Sequence, residues 1–248
     1  MLAQERYQII LDHLGAEGAA TVPELSVLLN ASQATVRRDL NVLAKEGRLN
    51  KVFGGATSIR QMGLREEHVQ SRELLMLPEK DAIARYAATL VRDEDFVFID
   101  SGTTAACMIP HLKNSKATFV TNGVAQAYRL LNAGHTVYLI GGRLRTETEA
   151  AVGAEAMKAL LQFNFSKAFM GTNGISLEEG FSTPDVEEAN IKREVIERSF
   201  VSFVVADHTK FNLAFSVTFA RLEACCILTD RIPKGKYNEK TIIKEVNQ

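Results

Sequence analysis

Five polar or glycine-rich segments follow short aliphatic runs in the C-terminal two-thirds of the chain. They are Asp100–Thr104, Thr121–Gly123, Gly141–Arg145, Gly171–Gly174 and Asp207–Lys210. Hydroxyl groups and free backbone N–H groups bind phosphate, whereas carboxylates and amides bind the hydroxyl groups of a sugar. Any one such segment often only reverses the chain, but five of them at equivalent places favour a pocket for a small phosphorylated polyol.

The residues expected to bind this ligand offer hydroxyl, amide, carboxylate, cationic or bare backbone groups. The hydroxyl and backbone groups would hold the phosphate, and the carboxylates and amides would hold the sugar. The expected ligand-binding residues are Asp100, Ser101, Gly102, Thr103, Thr104, Thr121, Asn122, Gly141, Gly142, Arg145, Gly171, Asn173, Glu188, Lys192, Asp207 and Lys210.

Carboxylates and lysines near such a pocket also suit the isomerisation of a sugar phosphate. That reaction needs a base to move a proton between adjacent carbons and a cation to stabilise the enediolate. Glu187 or Glu188 is a candidate base, and Lys192 or Lys210 is a candidate cation. The first three of these also fit a solvated helix with Glu–Lys pairs. We rank binding without turnover first, surface pairing second and catalysis third, and so expect no enzyme.

Metal, hydrolase and dinucleotide sites are not indicated. The five histidines are scattered without an HExxH motif, and the three cysteines form no CxxC pair. Ser101 lacks a G-x-S-x-G context, and Gly141–Gly142 lacks a GxGxxG context. Only His208 stands in the predicted pocket, where we expect it to form hydrogen bonds. We therefore expect no metal and no cofactor.

Aliphatic runs separated by helical stretches predict the elements that carry the five segments. The pattern predicts a helix over 80–91 and strands over 96–99, 118–121, 136–140, 167–171, 200–206 and 224–229. Short aliphatic strands that alternate with helices are typical of a parallel α/β sheet covered on both faces. Ligands of such sheets bind at the carboxyl ends of the strands, and that is where the five segments lie.

The N-terminal end of the chain differs from the rest in charge. The net charge of the 248 residues is −1, yet residues 32–60 contain six basic and two acidic side chains. A local cationic excess at one end suits a small DNA-binding module.

Composition limits the class of protein. Hydrophobic residues make up 46% and charged residues 24%, which is typical of a folded globular chain. The apolar runs are too short to cross a bilayer, and the N-terminus lacks the pattern of a secretory signal. We therefore expect a cytoplasmic protein without a membrane partner.

A helix-turn-helix pattern lies in the first sixty residues. A helix is predicted from about Gln4 to Leu14, and Thr21 with Glu24 forms a capping box for a short second helix. Asn30–Ala31 makes a turn, and Ser32 is a good N-cap for a third helix. The order of these features favours DNA binding over a solvated amphipathic helix.

The third helix, predicted over 33–47, has two contrasting faces. Val36, Leu40 and Leu43 share an apolar face, and the other face is polar and cationic. Such a helix suits a major groove, and residues 48–56 predict a hairpin wing over the phosphate backbone. The expected DNA-binding residues are Ser32, Gln33, Ala34, Thr35, Arg37, Arg38, Asn41 and Lys51. Of these, Gln33, Ala34, Thr35 and Arg38 are expected at base edges, and Arg37 and Lys51 at phosphates.

Both ends of the chain resemble the DeoR family of bacterial regulators. In the N-terminal end the resemblance is carried by Thr35–Leu40, Gly47 and Val52–Ala56. In the remainder it is carried by Asp100–Thr104, Thr121–Asn122, Gly141–Arg145, Gly171–Ile175, Asp185–Ala189 with Lys192–Arg193, and Ala206–Phe211. The resemblance thus covers nearly the whole chain.

The resemblance and the patterning together predict an α/β protein with two domains. We expect a small winged helix-turn-helix domain over 1–58, a linker over 59–78 and a parallel-sheet sensor domain over 79–248. The sensor domain also resembles ribose-phosphate isomerases.

The family resemblance implies a repressor of sugar-uptake or catabolic genes that a phosphorylated sugar releases from double-stranded operator DNA. The stretch Gly171–Asp185 is similar to regulators of fructose operons. It favours fructose 1-phosphate, with tagatose 6-phosphate and other hexose phosphates left open. Paired half-sites need paired readers, so we also expect a homo-oligomer that associates through the sensor domains.

Overall fold

The computed structural model describes residues 2–58, 61–62, 68–233 and 235–246. The chain divides into two compact units: unit 1 is 1–61 with 233–236, and unit 2 is 62–232 with 237–248. The predicted linker over 59–78 falls partly on residues 59–60 and 63–67, which lie outside the described residues. A helix (Val69–Leu74) lies within its described part, and Pro78 stands in the first turn of the next helix.

Unit 1 has the element order of a winged helix-turn-helix. Its elements are α1 (Ala3–Glu17), β1 (Ala19–Thr21), α2 (Val22–Leu28), α3 (Gln33–Lys45), β2 (Asn50–Val52) and β3 (Gly55–Thr57). A two-residue strand, β4 (Gln61–Met62), follows in the chain. The first helix continues beyond the predicted Leu14 and ends at Gly18, whose φ of 76° ends the helix at little steric cost.

Local hydrogen bonds form α2 and α3 as predicted. The Thr21 hydroxyl accepts a hydrogen bond from the backbone N–H of Glu24, and the Glu24 carboxylate accepts one from the backbone N–H of Thr21. The backbone N–H and the hydroxyl of Thr21 both donate to the Glu24 carboxylate, at 2.7 and 2.9 Å, and hold the pKa of Glu24 below its ordinary value. The Ser32 hydroxyl accepts from the Thr35 N–H at 3.2 Å and begins α3. The capping prediction is confirmed at both helices.

The predicted apolar face of α3 forms the centre of the unit 1 core. Val36, Leu40 and Leu43 are fully buried there. Asp39, which the sequence pattern did not single out, is also buried on this side of the helix. Its carboxylate accepts two hydrogen bonds from Arg6 of α1, at 2.7 and 3.0 Å. This ion pair fixes α1 against α3.

Substituting Ser32 by alanine is expected to lower the free energy of unfolding by about 1 kcal/mol, because the helix loses its side-chain cap. Ser32→Thr retains an oxygen at the same place and should change stability by a few tenths of a kcal/mol at most. Urea denaturation of both variants without DNA tests this. Equal destabilisation by the two substitutions would show that the hydroxyl contributes nothing to helix formation.

The predicted wing is an antiparallel hairpin that joins a three-stranded sheet. β3 pairs with β2 on one side and with β1 on the other. Gly55 is required in β3, since a Cβ there would lie 2.2 Å from the carbonyl oxygen of Ala20. The tip residue Phe53 is fully exposed, and Lys51 is exposed beside it.

Unit 2 contains the helices and strands of an α/β domain. Its helices are α4 (Val69–Leu74), α5 (Leu77–Thr89), α6 (Thr103–Ala106), α7 (Val124–Asn132), α8 (Ala154–Leu160) and α9 (Val186–Glu197). Its strands are β5 (Phe96–Ile99), β6 (Thr118–Thr121), β7 (Thr136–Leu139), β8 (Arg143–Leu144), β9 (Ala151–Val152), β10 (Phe165–Met170), β11 (Gly174–Ser176), β12 (Gly180–Thr183), β13 (Ser199–Val205), β14 (Leu213–Ala214), β15 (Val217–Ala220), β16 (Cys226–Thr229) and β17 (Ile243–Glu245). Short 3₁₀ turns occur at Ile109–His111, His208–Lys210, Leu222–Ala224 and Tyr237–Glu239.

The predicted strands form one parallel sheet of seven strands in the order β17-β16-β13-β10-β5-β6-β7. All six predicted strands are present, with ends that differ by two residues at most. The edge strand β17 and the small antiparallel sheet β11-β12-β15 did not follow from the patterning.

Both faces of the large sheet are buried, as the aliphatic strands predict. Successive side chains of a strand point to opposite faces. In β5, Phe98 joins one apolar cluster, whereas Val97 and Ile99 join the other. Because each cluster includes residues of the covering helices, the sheet lies between helical layers. No helix in the described part of the chain is long and apolar enough to cross a membrane.

Candidate functional site

The polar face of α3, the recognition helix predicted to enter a major groove, is exposed to solvent. Gln33, Ala34, Arg37, Arg38 and Asn41 are exposed, and Thr35 is half-buried. Arg37 is close to Gln33, with 3.5 Å between its Nη2 and the Gln33 Oε1. No ion pair holds the Arg38 guanidinium among the described residues, so it is available to an acceptor outside the chain.

A cavity of about 440 Å³ in unit 2 opens at the carboxyl ends of three neighbouring strands, β5, β10 and β13. This volume is within the usual range of small-molecule sites. Eleven of the expected ligand-binding residues line it: Asp100, Ser101, Gly102, Thr103, Thr104, Gly171, Asn173, Glu188, Lys192, Asp207 and Lys210.

Asp100 holds the loops of two adjacent strands together. It follows β5, and its Oδ2 accepts hydrogen bonds from the backbone N–H of Gly171 at 2.9 Å and of Gly102 at 3.3 Å. A Cβ on Gly171 would lie 3.0 Å from that same oxygen, so glycine is needed for the close approach. Because these hydrogen bonds occupy the Asp100 carboxylate, its main role is to hold the cavity wall together and not to bind a ligand.

Lys192 of α9 completes this arrangement from the opposite side. Its Nζ donates to Asp100 Oδ2 at 2.7 Å and to the carbonyl oxygen of Gly171 at 3.1 Å. Both side chains of the pair are almost fully buried. Removing either partner would leave a buried charge uncompensated, which is costly. The positive charge that Lys192 brings to the cavity is thus already balanced by the carboxylate of Asp100.

Two further lysines of the cavity, Lys80 and Lys210, are not paired with a carboxylate in this way. Lys80 of α5 is 4% exposed, and its Nζ donates to the carbonyl oxygen of Arg72. Burial lowers the pKa of Lys80, Asp207 opposes that shift, and the neighbouring Lys210 adds to it. Within the described residues neither Lys80 nor Lys210 forms an ion pair with a carboxylate. The charged lining residues are four cations (Arg72, Lys80, Lys192 and Lys210) and three carboxylates (Asp100, Glu188 and Asp207), so positive charge is in excess.

Glu188 is enclosed by donors at the cavity wall. Its carboxylate accepts from Arg145 Nη1 at 3.0 Å, from Thr183 Oγ1 at 3.4 Å and from the Thr148 hydroxyl. A carboxylate held in this way is poorly placed to abstract a proton. Glu187, the other candidate base, does not line the cavity and pairs with Arg143. Neither of the two predicted candidate bases therefore offers the cavity a carboxylate without hydrogen-bond or ion-pair partners.

Five residues expected in the pocket lie outside its lining. Gly123 N–H donates to the Thr121 hydroxyl, and Asn122 donates to the carbonyl oxygen of Ala151. Arg145 instead positions Glu188. Gly142 marks a close approach, since a Cβ there would lie 2.7 Å from the carbonyl oxygen of Val152, whereas a Cβ on Gly141 would meet no atom within 4 Å. The five are Thr121, Asn122, Gly141, Gly142 and Arg145.

Several lining residues were missed by the sequence interpretation. Arg72 and Lys80 come from helices that precede the first strand of the sheet, where no strand-end motif marks them. Met76 between them adopts a left-handed conformation with φ of 53°. Their places depend on how those helices pack on the sheet. The lining residues outside the expected set are Arg72, Leu75, Met76, Lys80, Thr148, Thr172, Val205, Ala206, Thr209, Leu213 and Phe215. Of these, Thr172 and Thr209 lie within two of the five predicted segments, although neither was named as a ligand-binding residue.

His208 does not line the cavity. Its backbone N–H and its Nδ1 contact the carboxylate of Asp230, at 2.7 and 2.6 Å. The described residues contain no cluster of three or more histidine, cysteine, aspartate or glutamate side chains placed to hold a metal ion.

Family models match both units of the chain. A model of the DeoR-like helix-turn-helix domain matches residues 6–62. A model of the DeoR C-terminal sensor domain matches residues 76–231, which is more than half of the chain.

Curated relatives match over their whole length. The HTH-type transcriptional regulator FruR of Bacillus subtilis (strain 168), itself described as uncharacterized, is 36% identical over 250 residues and 99% of each chain. The lactose phosphotransferase system repressor of Staphylococcus aureus (strain N315) is 32% identical over 253 residues and 100% of each chain. One relative is thus named as a transcriptional regulator and the other as a repressor.

Among solved structures, ribose 5-phosphate isomerase A from Neisseria gonorrhoeae is 16% identical, with a TM-score of 0.40 over 53% of this chain and 52% of that one. That likeness is too low to support a functional argument. The exposed recognition helix, the wing and the sensor domain agree with the two family models and the full-length relatives. The chain belongs to the DeoR family of DNA-binding transcriptional regulators.

Proposed function

We propose that this regulator represses an operon for sugar uptake or catabolism and that a phosphorylated sugar releases it from its operator. A relative named as the repressor of a lactose phosphotransferase system supports the link to sugars. Fructose 1-phosphate is the favoured effector, because Gly171–Asp185 resembles regulators of fructose operons. Tagatose 6-phosphate and other hexose phosphates are the alternatives.

The observation that carries the proposal is that Lys80 and Lys210 line the cavity without an ion-pair partner among the described residues. Two ammonium groups with no ion-paired carboxylate favour an anionic ligand, and a phosphate carries close to two negative charges at neutral pH. Hydroxyl groups of Ser101, Thr103 and Thr104 line the same cavity and can donate to phosphate oxygens.

The rest of the cavity suits the sugar part of the ligand. Asn173 and Asp207 line it beside the lysines, and amide and carboxylate oxygens accept hydrogen bonds from sugar hydroxyls. The apolar side chains of Leu75, Met76 and Phe215 complete the wall. A ligand with a phosphate at one end and hydroxyl groups along a short carbon chain would use both kinds of surface.

Effector control requires the ligand to bind one state of the regulator more tightly than the other, by a few kcal/mol. In the proposed mechanism, occupation of the cavity changes the placement of the DNA-binding units in a homo-oligomer. The regulator would act in the cytoplasm, with no cofactor and no membrane partner. Its macromolecular partner would be double-stranded operator DNA, read through the exposed face of α3.

The test is binding to the DNA upstream of the regulator's own gene, at two salt concentrations, with and without a panel of sugar phosphates. We expect specific binding that weakens as salt rises, because phosphate contacts release counterions. One sugar phosphate should relieve it, and the corresponding unphosphorylated sugar should not.

The other outcomes separate the parts of the proposal. Specific binding that no sugar phosphate relieves would contradict the effector assignment and leave the DNA-binding role in place. Absence of specific binding, together with turnover in an isomerase assay on the same panel, would contradict the repressor proposal itself.

A further inference from the structure

The short helix α4 and the two residues after it form part of the cavity wall. Arg72 of α4, then Leu75 and Met76, line the cavity, and Lys80 lines it one turn further along the chain. We call Val69–Met76 the strap. Because α4 is the first described helix after unit 1, the chain from the DNA-binding unit enters the sensor domain at the strap.

Little packing of its own holds the strap in place. A helix of six residues is not stable in isolation. Among the described side chains of the strap, that of Val69 alone is buried, whereas Leu74 and Leu75 are 80% and 52% exposed. Met76 ends the strap in a left-handed conformation, with φ of 53°, which is unfavourable for a residue other than glycine. Such strain is typical of ligand clamps and switch segments.

Polar contacts tether the strap to the rest of unit 2. The backbone N–H of Val69 donates to the carbonyl oxygen of Glu147 at 2.8 Å, and Glu73 pairs with Arg129 at 2.8 Å. The two side chains of that pair are 42% and 47% exposed, and exposed pairs contribute little to stability. The position of the strap is therefore one that a few additional contacts can shift.

Positive charges meet where the strap borders the cavity. Arg72 lies on the strap, Lys80 on α5 and Lys210 after β13. Burial lowers the pKa of Lys80, and the charges of Lys210 and Arg72 lower it further, so these cations repel one another. Asp207 opposes that shift. A phosphate among the three cations carries close to two negative charges, so it would turn their repulsion into attraction.

We propose that the phosphate of the effector draws the strap closed over the cavity through Arg72, and that this closure carries the effector signal toward the DNA-binding unit. The inference rests on the proposed function and names the regulation of the same site. A ligand that contacts Arg72, Leu75 and Met76 only in the closed state binds that state more tightly and increases its population. Closure then restrains the point at which the chain from the DNA-binding unit is attached.

Hydrogen–deuterium exchange of the full chain, measured by mass spectrometry with and without fructose 1-phosphate, tests closure directly. If a different sugar phosphate of the panel relieves operator binding, that compound is used instead. Bound effector should slow the exchange of the strap amides roughly ten-fold or more, which is the effect of one hydrogen bond to a charged group. The amides of β17, which does not line the cavity, are the internal control and should be unaffected.

Arg72→Gln tests whether the strap carries the signal. It should weaken effector binding roughly ten-fold, because a hydrogen bond between charged groups is lost. It should also remove the protection of the strap and reduce the maximal release of operator at saturating effector, while operator affinity without effector is retained. Arg85→Gln is the matched control, since Arg85 is exposed on α5 and does not line the cavity. Circular dichroism checks that both variants are folded.

Each contrary outcome bears on a definite claim. If the effector relieves operator binding but leaves strap exchange unchanged, or speeds it, the inference is overturned and the proposed function stands. If Arg72→Gln needs more effector yet reaches full release, Arg72 is a ligand contact only and the strap does not carry the signal. If Arg72→Gln does not fold, exchange of the wild type still decides. If no sugar phosphate relieves operator binding, the proposed effector class fails and the inference fails with it.

Discussion

Replacing Lys80 by methionine is expected to remove most of the response to the phosphorylated effector while operator binding is retained. Methionine is close to lysine in length and apolar, so it fills the space of the stem without the charge. A hydrogen bond to a charged group contributes about 1.5–3 kcal/mol, so effector affinity should fall roughly 10- to 150-fold. Calorimetric titration of the effector measures this directly.

The same substitution should preserve or raise the stability of the free protein. Burial lowers the pKa of Lys80, so the unfolded chain binds this proton more tightly than the folded chain does. The wild type is therefore destabilised at neutral pH, and this cost disappears as pH rises from the lowered pKa toward the ordinary value of 10.5. The difference in unfolding free energy between the two proteins should shrink over that window.

Opposite signs in the two measurements separate a binding role from a structural one. If Lys80 merely supported the fold, its replacement would lower both the stability of the protein and its affinity for the effector. Lys113→Met, at an exposed lysine of the same unit, is the matched control and should change neither quantity. Effector affinity that survives Lys80→Met would place the phosphate elsewhere and remove the main support for the proposed effector class.

Lys80 also illustrates what the sequence could not predict. Lys210 was found because it follows a strand in a polar segment. Lys80 occupies an ordinary helical position, and its place in the cavity depends on the packing of α5 against the sheet. Asp100 was found by its motif, but its pairing with Lys192 spans 92 residues and is a property of the tertiary structure.

Strand order explains which predicted segments converge. The alternating pattern correctly predicts a parallel sheet, and it puts every strand end at the same edge. It does not say which strands are neighbours. Because β5 lies beside β10, and β10 beside β13, the segments after these strands share one cavity. The segments after β6 and β7 lie on the other side of β5, so Asn122 and Gly142 do not line it.

The DNA-binding unit was more predictable because its signals are local. The capping box of Thr21 and Glu24 and the cap at Ser32 span three residues each, so the sequence determines them without knowledge of the fold. The ion pair of Arg6 with Asp39 was not predicted, because it joins two helices that are distant in the sequence. In this unit, the sequence predicts the hydrogen bonds that join residues close together along the chain.

Replacing Arg38 by alanine is expected to weaken specific operator binding strongly and to leave effector binding unchanged. Arg38 is exposed on α3, and an arginine that contacts a base edge contributes about 1–3 kcal/mol of discrimination. Each half-site should therefore lose roughly 5- to 150-fold in affinity, and a homo-oligomer loses the contact at two half-sites.

Arg37→Ala is the matched control for this prediction, since the two arginines are adjacent but have different expected partners. If Arg37 contacts phosphate, its loss should weaken binding to operator and random DNA alike and reduce the slope of log affinity against log salt by about 1. Arg38→Ala should instead bring operator affinity toward that of random DNA. Fluorescence anisotropy on both DNAs across a salt series distinguishes them. Full operator selectivity in Arg38→Ala would show that other residues of α3, such as Gln33 or Asn41, read the bases.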